Sequence, residues 1–403
     1  MFRRYRKPLV SLFRDVQTLN RNPEDLPLCF SIQERLLTYI RRTEHRIRTV
    51  KDQAAHLHRL IHHGRLAHED VIKLKALLAH RYAKKAAYQT LLSVFRDVGD
   101  GIAFIYLDKW DIKPLCLLKE NAGFISGKRG LRLELQIFRD SKRLNLPCIF
   151  NDITNSLRYG DITLAGGGLP RIIEVKSGRQ RKRDARADRQ VERGNRILKY
   201  LRDDQGEGVY PGYANITLHR RELFYEEKHH QQEVTNLLAD ALVSKKSLTR
   251  TIEKGLHYHI AVPGDAGIGN RDQLPKGSKM SCWYVTSEEY SNMAYYPFTL
   301  SIAHPESLFE FYDGKCLVVV FIDFTVIEEE LAKAGATLEV RNDGEGDFLT
   351  LNNRDSGLRV NVSRHFIGRL AGEFLSLEWM LRHWVLEIER YSKEPDLLRT
   401  AVL

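Results

Sequence analysis

The chain has 403 residues, of which 43% are hydrophobic and 29% charged, as in an ordinary globular protein. No stretch of eighteen apolar residues occurs, so no membrane-spanning helix is expected, and the short apolar run Pro8 to Phe13 is not typical of a secretory signal. The five cysteines form no Cys-x-x-Cys pair, which argues against disulfide frameworks and zinc knuckles and favours a cytoplasmic protein. The net charge of +11 favours polyanionic partners.

Two long helices are predicted at the start of the chain. Apolar residues recur at spacings of three and four from Ser31 to His63, and a similar stripe runs from Ala67 to Asp97. Gly64 separates the two helices, which predicts an antiparallel hairpin within a helical region of residues 1–98. We expect this hairpin to be a structural brace or a partner-binding arm.

Shorter elements follow, in a second predicted domain of residues 99–210. The apolar run Ile102 to Leu107 predicts a buried strand, Gly127 to Leu144 a helix, and Cys148 to Ile153 an extended segment. The segments Tyr159 to Leu164 and Arg171 to Lys176 flank a glycine-rich turn, which indicates a β-hairpin. The basic segment Arg179 to Asp203 then predicts a helix.

Residues 211–403 are predicted to form a separate α+β domain. Helices are expected at Glu222 to Lys246 and Phe366 to Tyr391. Strands are expected at Leu256 to Val262, Phe298 to Ile302 and Cys316 to Phe324, and around Leu338, Phe348 and Leu358. We expect this domain to contribute substrate choice, partner docking or regulation, and no chemistry.

The register of the β-hairpin places two acids opposite each other. If Leu164 pairs with Arg171, Asp161 falls opposite Glu174, with Cβ atoms roughly 5 Å apart. Side chains alternate along a strand, so Lys176 shares the face of Glu174. Two opposed carboxylates repel each other unless a cation neutralises them, and carboxylates favour Mg²⁺, for which Mn²⁺ can substitute. Lys176 could then orient or deprotonate an attacking water.

This arrangement of Asp161 with Glu174-Val-Lys176 resembles the PD-(D/E)XK, or restriction-endonuclease-like, nuclease superfamily. The resemblance covers Gly99 to Asp203 and implies an α/β core with a mixed sheet, flanked here by the helical hairpin and the α+β domain. It also implies a further metal-binding acid at Glu134, on the preceding helix, and a supporting glutamine at Gln190. A glycine precedes Asp161 where the family name has proline. Among the other acid-x-Lys motifs, Asp111-Ile-Lys113 is the nearest rival, and no paired acid precedes it.

A basic run adjoins the predicted site and could contact phosphates, although such runs are often only solvated faces. Its members assigned to nucleic-acid binding are Arg179, Arg181, Lys182, Arg183, Arg186, Arg189, Arg193 and Arg196.

The sequence therefore predicts a metal-dependent nuclease that hydrolyses phosphodiester bonds in nucleic acid, with DNA expected and RNA left open. Bacterial defence against phage and the processing of mobile DNA are contexts suggested by analogy. The alternative is a non-catalytic nucleic-acid-binding or scaffold subunit. A protein partner or a second copy could bind through the helical hairpin or the C-terminal domain. Strand preference, endo- or exonucleolytic action and recognised sequence stay open.

Overall fold

The computed structural model describes residues 2–64, 66–117, 123–128, 130–157, 159–166, 169–175, 185–207, 217–219, 223–265, 278–285, 295–340, 347–353, 357–393 and 400–402. The chain divides into two compact units. The first comprises Met1–Asp108 and Lys119–Arg183, and the second comprises Lys109–Leu118 and Asp184–Leu403. These boundaries differ from the three-part division predicted from the sequence: the N-terminal helices share a unit with the acidic hairpin, and the basic helix belongs to the other unit.

Three helices open the first unit: α1 (Arg6–Arg21), α2 (Leu26–His63) and α3 (His68–Tyr106). The predicted helical hairpin is confirmed, with α2 ending next to Gly64. Asp25 caps α2, since its carboxylate accepts a hydrogen bond from the Leu28 backbone N–H at 3.0 Å. The apolar stripe of α2 is buried along most of its length.

The strand predicted at Ile102 to Leu107 is wrong, because α3 continues to Tyr106. Ile102 and Ala103 are buried on this helix. A short, continuous apolar run has no periodicity that separates a strand from a helix. Gly99 does not end the helix but permits close packing, since a Cβ there would lie 2.1 Å from the Ile153 carbonyl oxygen.

A small antiparallel sheet completes the first unit, preceded by helix α5 (Leu131–Arg143). Its strands stand in the order β1 (Cys148–Phe150), β2 (Ile162–Leu164) and β3 (Arg171–Ile173). Leu164 pairs with Arg171 and Ile162 with Ile173, which confirms the predicted register. Buried Gln33 of α2 holds the edge of β1, because its amide donates to the Cys148 carbonyl at 2.8 Å and accepts from the Phe150 N–H at 3.0 Å.

The second unit combines helices with three sheets. Its helices are α4 (Lys109–Leu117), α6 (Ala185–Asp203), α7 (Gln231–Ser244), α8 (Phe298–Ser301), α9 (Pro305–Tyr312), α10 (Phe324–Lys333), α11 (Arg364–Gly372) and α12 (Leu377–Lys393). Its strands are β4 (Gln205–Glu207), β5 (Thr217–His219), β6 (Leu248–Glu253), β7 (Leu256–Ala261), β8 (Met280–Val285), β9 (Leu317–Asp323), β10 (Ala336–Val340), β11 (Asp347–Asn353), β12 (Arg359–Ser363) and β13 (Thr400–Val402). The predicted mixture of helices and strands is confirmed.

Two of these sheets are antiparallel. One has the strand order β6-β7-β9-β8 and the other β10-β11-β12. In the third sheet, of order β13-β5-β4, β13 runs parallel to β5. The inner strand β7 is buried at every position, which is why its sequence is apolar apart from two histidines.

Two further predictions in this unit are corrected. Phe298 to Ile302, predicted as a strand, forms the short helix α8, whose four residues are all buried. The helix predicted from Phe366 to Tyr391 is two helices, because Phe374 adopts a left-handed backbone conformation with φ of 55°. Among the residues that the structure describes, no helix combines the length and the apolar composition needed to cross a bilayer.

Candidate functional site

Asp161 lies at the point where β2 begins. Its backbone N–H donates to the Ile173 carbonyl at 2.8 Å, although Ile173 already pairs with Ile162, so the regular pairing does not continue past Ile162. The predicted pairing of Asp161 with Glu174 is not among the pairs that the described strands form. The carboxylate of Asp161 accepts a hydrogen bond from the Val175 N–H at 2.6 Å. The hairpin backbone therefore fixes one oxygen of this buried carboxylate and leaves the other to face the site.

Gly160 explains why a proline does not precede Asp161. Its φ is +66°, which the proline ring, with φ near −65°, cannot adopt. A Cβ at this position would lie 2.5 Å from Ile172 Cγ2 and 2.9 Å from the Ile173 carbonyl oxygen. Both the conformation and the close approach of β3 therefore require glycine.

Asp152 lies beside Asp161 because β1 and β2 are paired. The Asn151 N–H donates to the Asp161 carbonyl at 3.0 Å, one step beyond the pair Phe150 and Ile162. The Asn151 amide donates to the Tyr159 carbonyl at 2.6 Å and accepts from the Thr163 hydroxyl at 2.9 Å. This buried asparagine holds the turn before Asp161 and sets Asp152 at the same end of the sheet.

The ammonium of Lys128 lies among three carboxylates. Its Nζ is 3.1 Å from Glu134 Oε1 and 2.9 Å from Asp152 Oδ2, and it also donates to Asp161 Oδ1. The Glu134 side chain is completely buried, and that of Asp161 is 9% exposed. Helix α5 supplies Glu134 and the sheet supplies the two aspartates. We call these four residues the carboxylate cluster.

Helix α2 anchors the segment 123–128 that carries Lys128. The buried carboxylate of Glu44 accepts hydrogen bonds from the N–H groups of Ile125 and Ser126, each at 2.9 Å. Arg48, one turn further along α2, donates to the Ser126 carbonyl and lies over the Phe124 ring, 4.9 Å from its centroid. The position of Lys128 therefore depends on contacts with a helix about eighty residues earlier in the chain.

Burial and neighbouring charges both shift the pKa values of the residues in this cluster, and some of these shifts oppose one another. Burial alone would lower the pKa of the Lys128 ammonium, but Asp152 and Asp161 outweigh it and raise that pKa. Burial raises the pKa of Glu134, the negative charge of Asp161 adds to the rise, and Lys128 opposes it. Glu134 Oε2 is buried and has no hydrogen-bond partner among the described residues. Such an oxygen has unused capacity to bind a cation or a proton.

The structure brings some of the predicted site residues together and leaves others apart. Glu134 and Asp161 belong to the carboxylate cluster. Glu174 is exposed, and it is not one of the carboxylates that contact Lys128 in the described part of the chain. Lys176, Arg179, Arg181, Lys182 and Arg183 lie outside the described residues.

Helix α6 carries the remaining predicted residues. The side chains of Arg186, Arg189, Gln190 and Arg193 lie outside the described part of the structure. Arg196 is exposed and forms an ion pair with Glu192, one turn earlier, at 2.6 Å. An exposed pair of this kind contributes little to stability and is readily broken, so the guanidinium can bind another anion.

Two members of the cluster, Asp152 and Lys128, are absent from the sequence-based prediction. Extending the pairing of β1 with β2 by one residue places Asn151 opposite Asp161, whereas Asp152 belongs to the 3₁₀ turn Asn151–Ile153 that follows, so strand pairing alone does not indicate Asp152. No local pattern indicates Lys128, because its place depends on Glu44. In the described residues, no three His, Cys, Asp or Glu side chains are close enough together, as placed, to hold a metal ion.

The rival motif, Asp111-Ile-Lys113, lies on helix α4 and not on a strand. Lys113 is buried, with its Nζ 3.7 Å from Glu373 Oε1 and 4.4 Å from the centroid of the Trp110 ring. Arg369, also buried, donates to Glu373 at 2.6 Å and to Glu227 at 2.8 Å. This buried network holds α4 and α11 together and does not place two acids on facing strands.

Comparisons with protein-family models, with curated proteins and with solved structures found no match to this chain.

Proposed function

We propose that this chain is a metal-dependent phosphodiesterase that hydrolyses nucleic acid, with DNA as the expected substrate and the carboxylate cluster as its metal site. The observation that carries the proposal is the convergence of Glu134, Asp152 and Asp161 on one cation position. The chain order of α5, a β-hairpin and α6 agrees with a restriction-endonuclease-like core, whereas the described strands β1, β2 and β3 form an antiparallel sheet and not the mixed sheet that the resemblance implies. That finer fold assignment is part of the proposal.

The residues of the cluster fit Mg²⁺ by their chemistry. Carboxylate oxygens are hard ligands, and the unused Oε2 of buried Glu134 offers a further one. The oxygens surround the Lys128 ammonium at hydrogen-bond distance, whereas Mg²⁺ takes its ligands at about 2.1 Å. Metal binding would therefore require Lys128 to leave and the carboxylate oxygens to move inward by up to about 1 Å.

Bound metal and the protein's own side chains would have different roles in the reaction. Bound Mg²⁺ would make water easier to ionise and would offset the negative charge that develops on the phosphate. Lys128 stays protonated, because the acids raise its pKa, so it is suited to neutralising phosphate charge and not to accepting a proton. In this proposal Lys176 orients the attacking water or accepts its proton, Glu174 contributes a further carboxylate, and Gln190 supports the site.

The regions around the carboxylate cluster would bind the substrate. The basic run that includes Arg186, Arg189 and Arg193 would contact phosphates, and the strand-rich part after about Gly206 would contribute substrate choice or partner docking. RNA as a substrate and a second copy or protein partner on the helical hairpin are compatible with the same site. The biological context, such as defence against phage, is proposed by analogy alone.

The position of Lys128 favours a second candidate function. The Lys128 ammonium already offsets part of the negative charge of three carboxylates, which lessens the need for a metal. The cluster could therefore be a structural ion network in a non-catalytic nucleic-acid-binding or scaffold subunit. The two candidates differ in one respect: only the first requires a divalent cation at the cluster.

Metal-dependent cleavage separates these functions. Purified protein would be incubated with linear and circular duplex DNA, single-stranded DNA and RNA, with Mg²⁺, Mn²⁺ or EDTA. We expect cleavage with either metal, none in EDTA, and a loss of at least about 10²-fold in Asp161→Asn, in line with the loss of a group that stabilises the transition state. Asp140→Asn, an exposed change on α5, serves as the control. Cleavage by Asp161→Asn at the wild-type rate would contradict the assignment.

A further inference from the structure

The exposed charges on one part of α2 all have the same sign. Between Tyr39 and Lys51, the exposed charged residues are Arg41, Arg42, Arg46, Arg48 and Lys51. The only acid in this stretch is Glu44, which is buried and engaged with the segment 123–128. Within the described part of the chain, none of the four arginines forms an ion pair with an acid.

The four arginines lie on a continuous face of the helix. At about 100° per residue, Arg41 and Arg48 lie within roughly 20° of each other, with Arg42 and Arg46 following on one side. Arg46 marks one flank, where its guanidinium donates to the Tyr88 hydroxyl at 3.2 Å. Arg48 marks the other flank, beside the segment that carries Lys128. We call these four residues the α2 basic face.

This face adjoins the carboxylate cluster within one unit. The residue that Arg48 binds, Ser126, stands two positions before Lys128 in a segment held by a turn from Ile125 to Lys128. A chain bound along the face would therefore approach the three carboxylates from the side of Lys128. The basic helix α6 belongs to the other unit, so the α2 basic face is a second and independent source of positive charge.

We infer that the α2 basic face binds the phosphate backbone of a nucleic acid and directs it toward the carboxylate cluster. The four arginines outnumber the acids on this side of the helix, where exposed Asp52 follows one turn after Arg48, so they repel one another in the free protein. A polyanion relieves that repulsion while releasing its condensed counterions. Guanidinium groups also match phosphate oxygens in geometry. The inference deepens the proposed function and rests on it for the identity of the neighbouring site.

Binding measured without catalysis tests the inference. Fluorescence anisotropy of labelled duplex and single-stranded DNA would be followed in EDTA across a range of salt concentrations. The test variant is Arg41→Ala/Arg42→Ala, since the structure gives neither side chain an ion pair in the described region. The control is Arg59→Ala/Lys75→Ala, which removes the same charge from exposed positions nearer the tip of the hairpin. Thermal melts confirm that each variant is folded.

We expect the test variant to bind at least about tenfold more weakly near physiological salt, and to flatten the slope of log affinity against log salt by about 1.8. The control should bind like wild type. Equal effects of the two variants, or binding to vesicles with phosphatidylserine but not to DNA, would overturn the inference. Binding through this face by a protein that never cleaves would overturn the proposed function and leave the inference standing.

Discussion

A fully buried carboxylate such as Glu134 loses the hydration that its charged form needs. The cluster compensates in part with Lys128, yet the pKa of Glu134 is raised, because burial and the charge of Asp161 act in the same direction. A raised pKa in the folded state means that the fold binds the proton more tightly than the unfolded chain does. This contribution to stability is present below the ordinary pKa and is lost as the pH rises through the raised one.

Glu134→Gln should therefore change the pH dependence of stability. The neutral amide has no proton to lose, so the contribution that wild type loses as the pH rises above the ordinary pKa of a glutamate should be absent from the metal-free variant. The difference in unfolding free energy between variant and wild type should therefore shift in favour of the variant as the pH rises. Chemical denaturation at several pH values measures this difference. Gln136→Ala, an exposed change of a neutral residue on the same helix, is the control and should retain the wild-type slope. If Glu134→Gln has the same slope of unfolding free energy against pH as wild type, the titration of Glu134 is not the cause of that slope.

Gly160→Ala should destabilise the hairpin. Alanine at this φ is strained by about 1–3 kcal/mol, and its Cβ would also clash with Ile172 and the Ile173 carbonyl. Gly127→Ala is the matched control, since Gly127 also has a positive φ but its Cβ would lie 3.8 Å from its nearest neighbour, in ordinary contact. A thermal melt should show the larger loss at Gly160, and equal losses would mean that the close approach of β3 contributes nothing.

At the scale of elements, the sequence predicts the register of the β-hairpin but gives no indication that Lys128 lies beside it. The register follows from local rules: strand alternation and a glycine-rich turn bring Leu164 opposite Arg171. The position of Lys128 follows from Glu44, which lies in a different element and gives no local signal. The errors at Ile102 and at Phe298 have another cause, because short, continuous apolar runs lack the periodicity that identifies an element.

Glu44→Gln tests this anchoring. The two carboxylate oxygens of Glu44 each accept one backbone N–H, whereas a glutamine would turn an NH₂ group toward one of these donors. We expect faster hydrogen exchange at the amides of Ile125 and Ser126. We also expect tighter Mn²⁺ binding, because Lys128, which competes with the metal for the carboxylates, loses its position. Glu34→Gln, an exposed change on the same helix, is the control. Unchanged exchange at both amides would show that other contacts hold the segment.

At the scale of the whole molecule, each of the two units buries a charged network, and the two networks are built differently. The carboxylate cluster of the first unit has an excess of acid. In the second unit, Lys109, Lys113 and Arg369 face Glu227 and Glu373, so the excess is basic. Burial lowers the pKa of Lys113 to about 7, Arg369 and Lys109 add to this, and Glu373 opposes it.

Lys113 should make the second unit more stable as the pH rises. Its folded pKa lies below the ordinary value of a lysine, so its contribution to stability is lost as the pH falls through about 7. Between pH 7 and 9 the unfolding free energy of wild type should increase by a few kcal/mol, at about 1.4 kcal/mol per pH unit. Lys113→Met should flatten that increase, whereas Lys315→Met, an exposed change in the same unit, should leave it unaltered. Parallel curves for wild type and Lys113→Met would contradict the titration of Lys113.

The central claim is that a divalent cation and the Lys128 ammonium compete for one position among three carboxylates. Titration of Mn²⁺ into metal-free wild type, Lys128→Met and Glu134→Gln tests it most directly, with Lys142→Met, an exposed change, as the control. Lys128→Met should melt lower without metal and bind Mn²⁺ more tightly than wild type, Glu134→Gln should bind it more weakly, and Lys142→Met should match wild type. If Lys128→Met binds Mn²⁺ no more tightly than wild type, the cluster is a structural ion network and not a metal site.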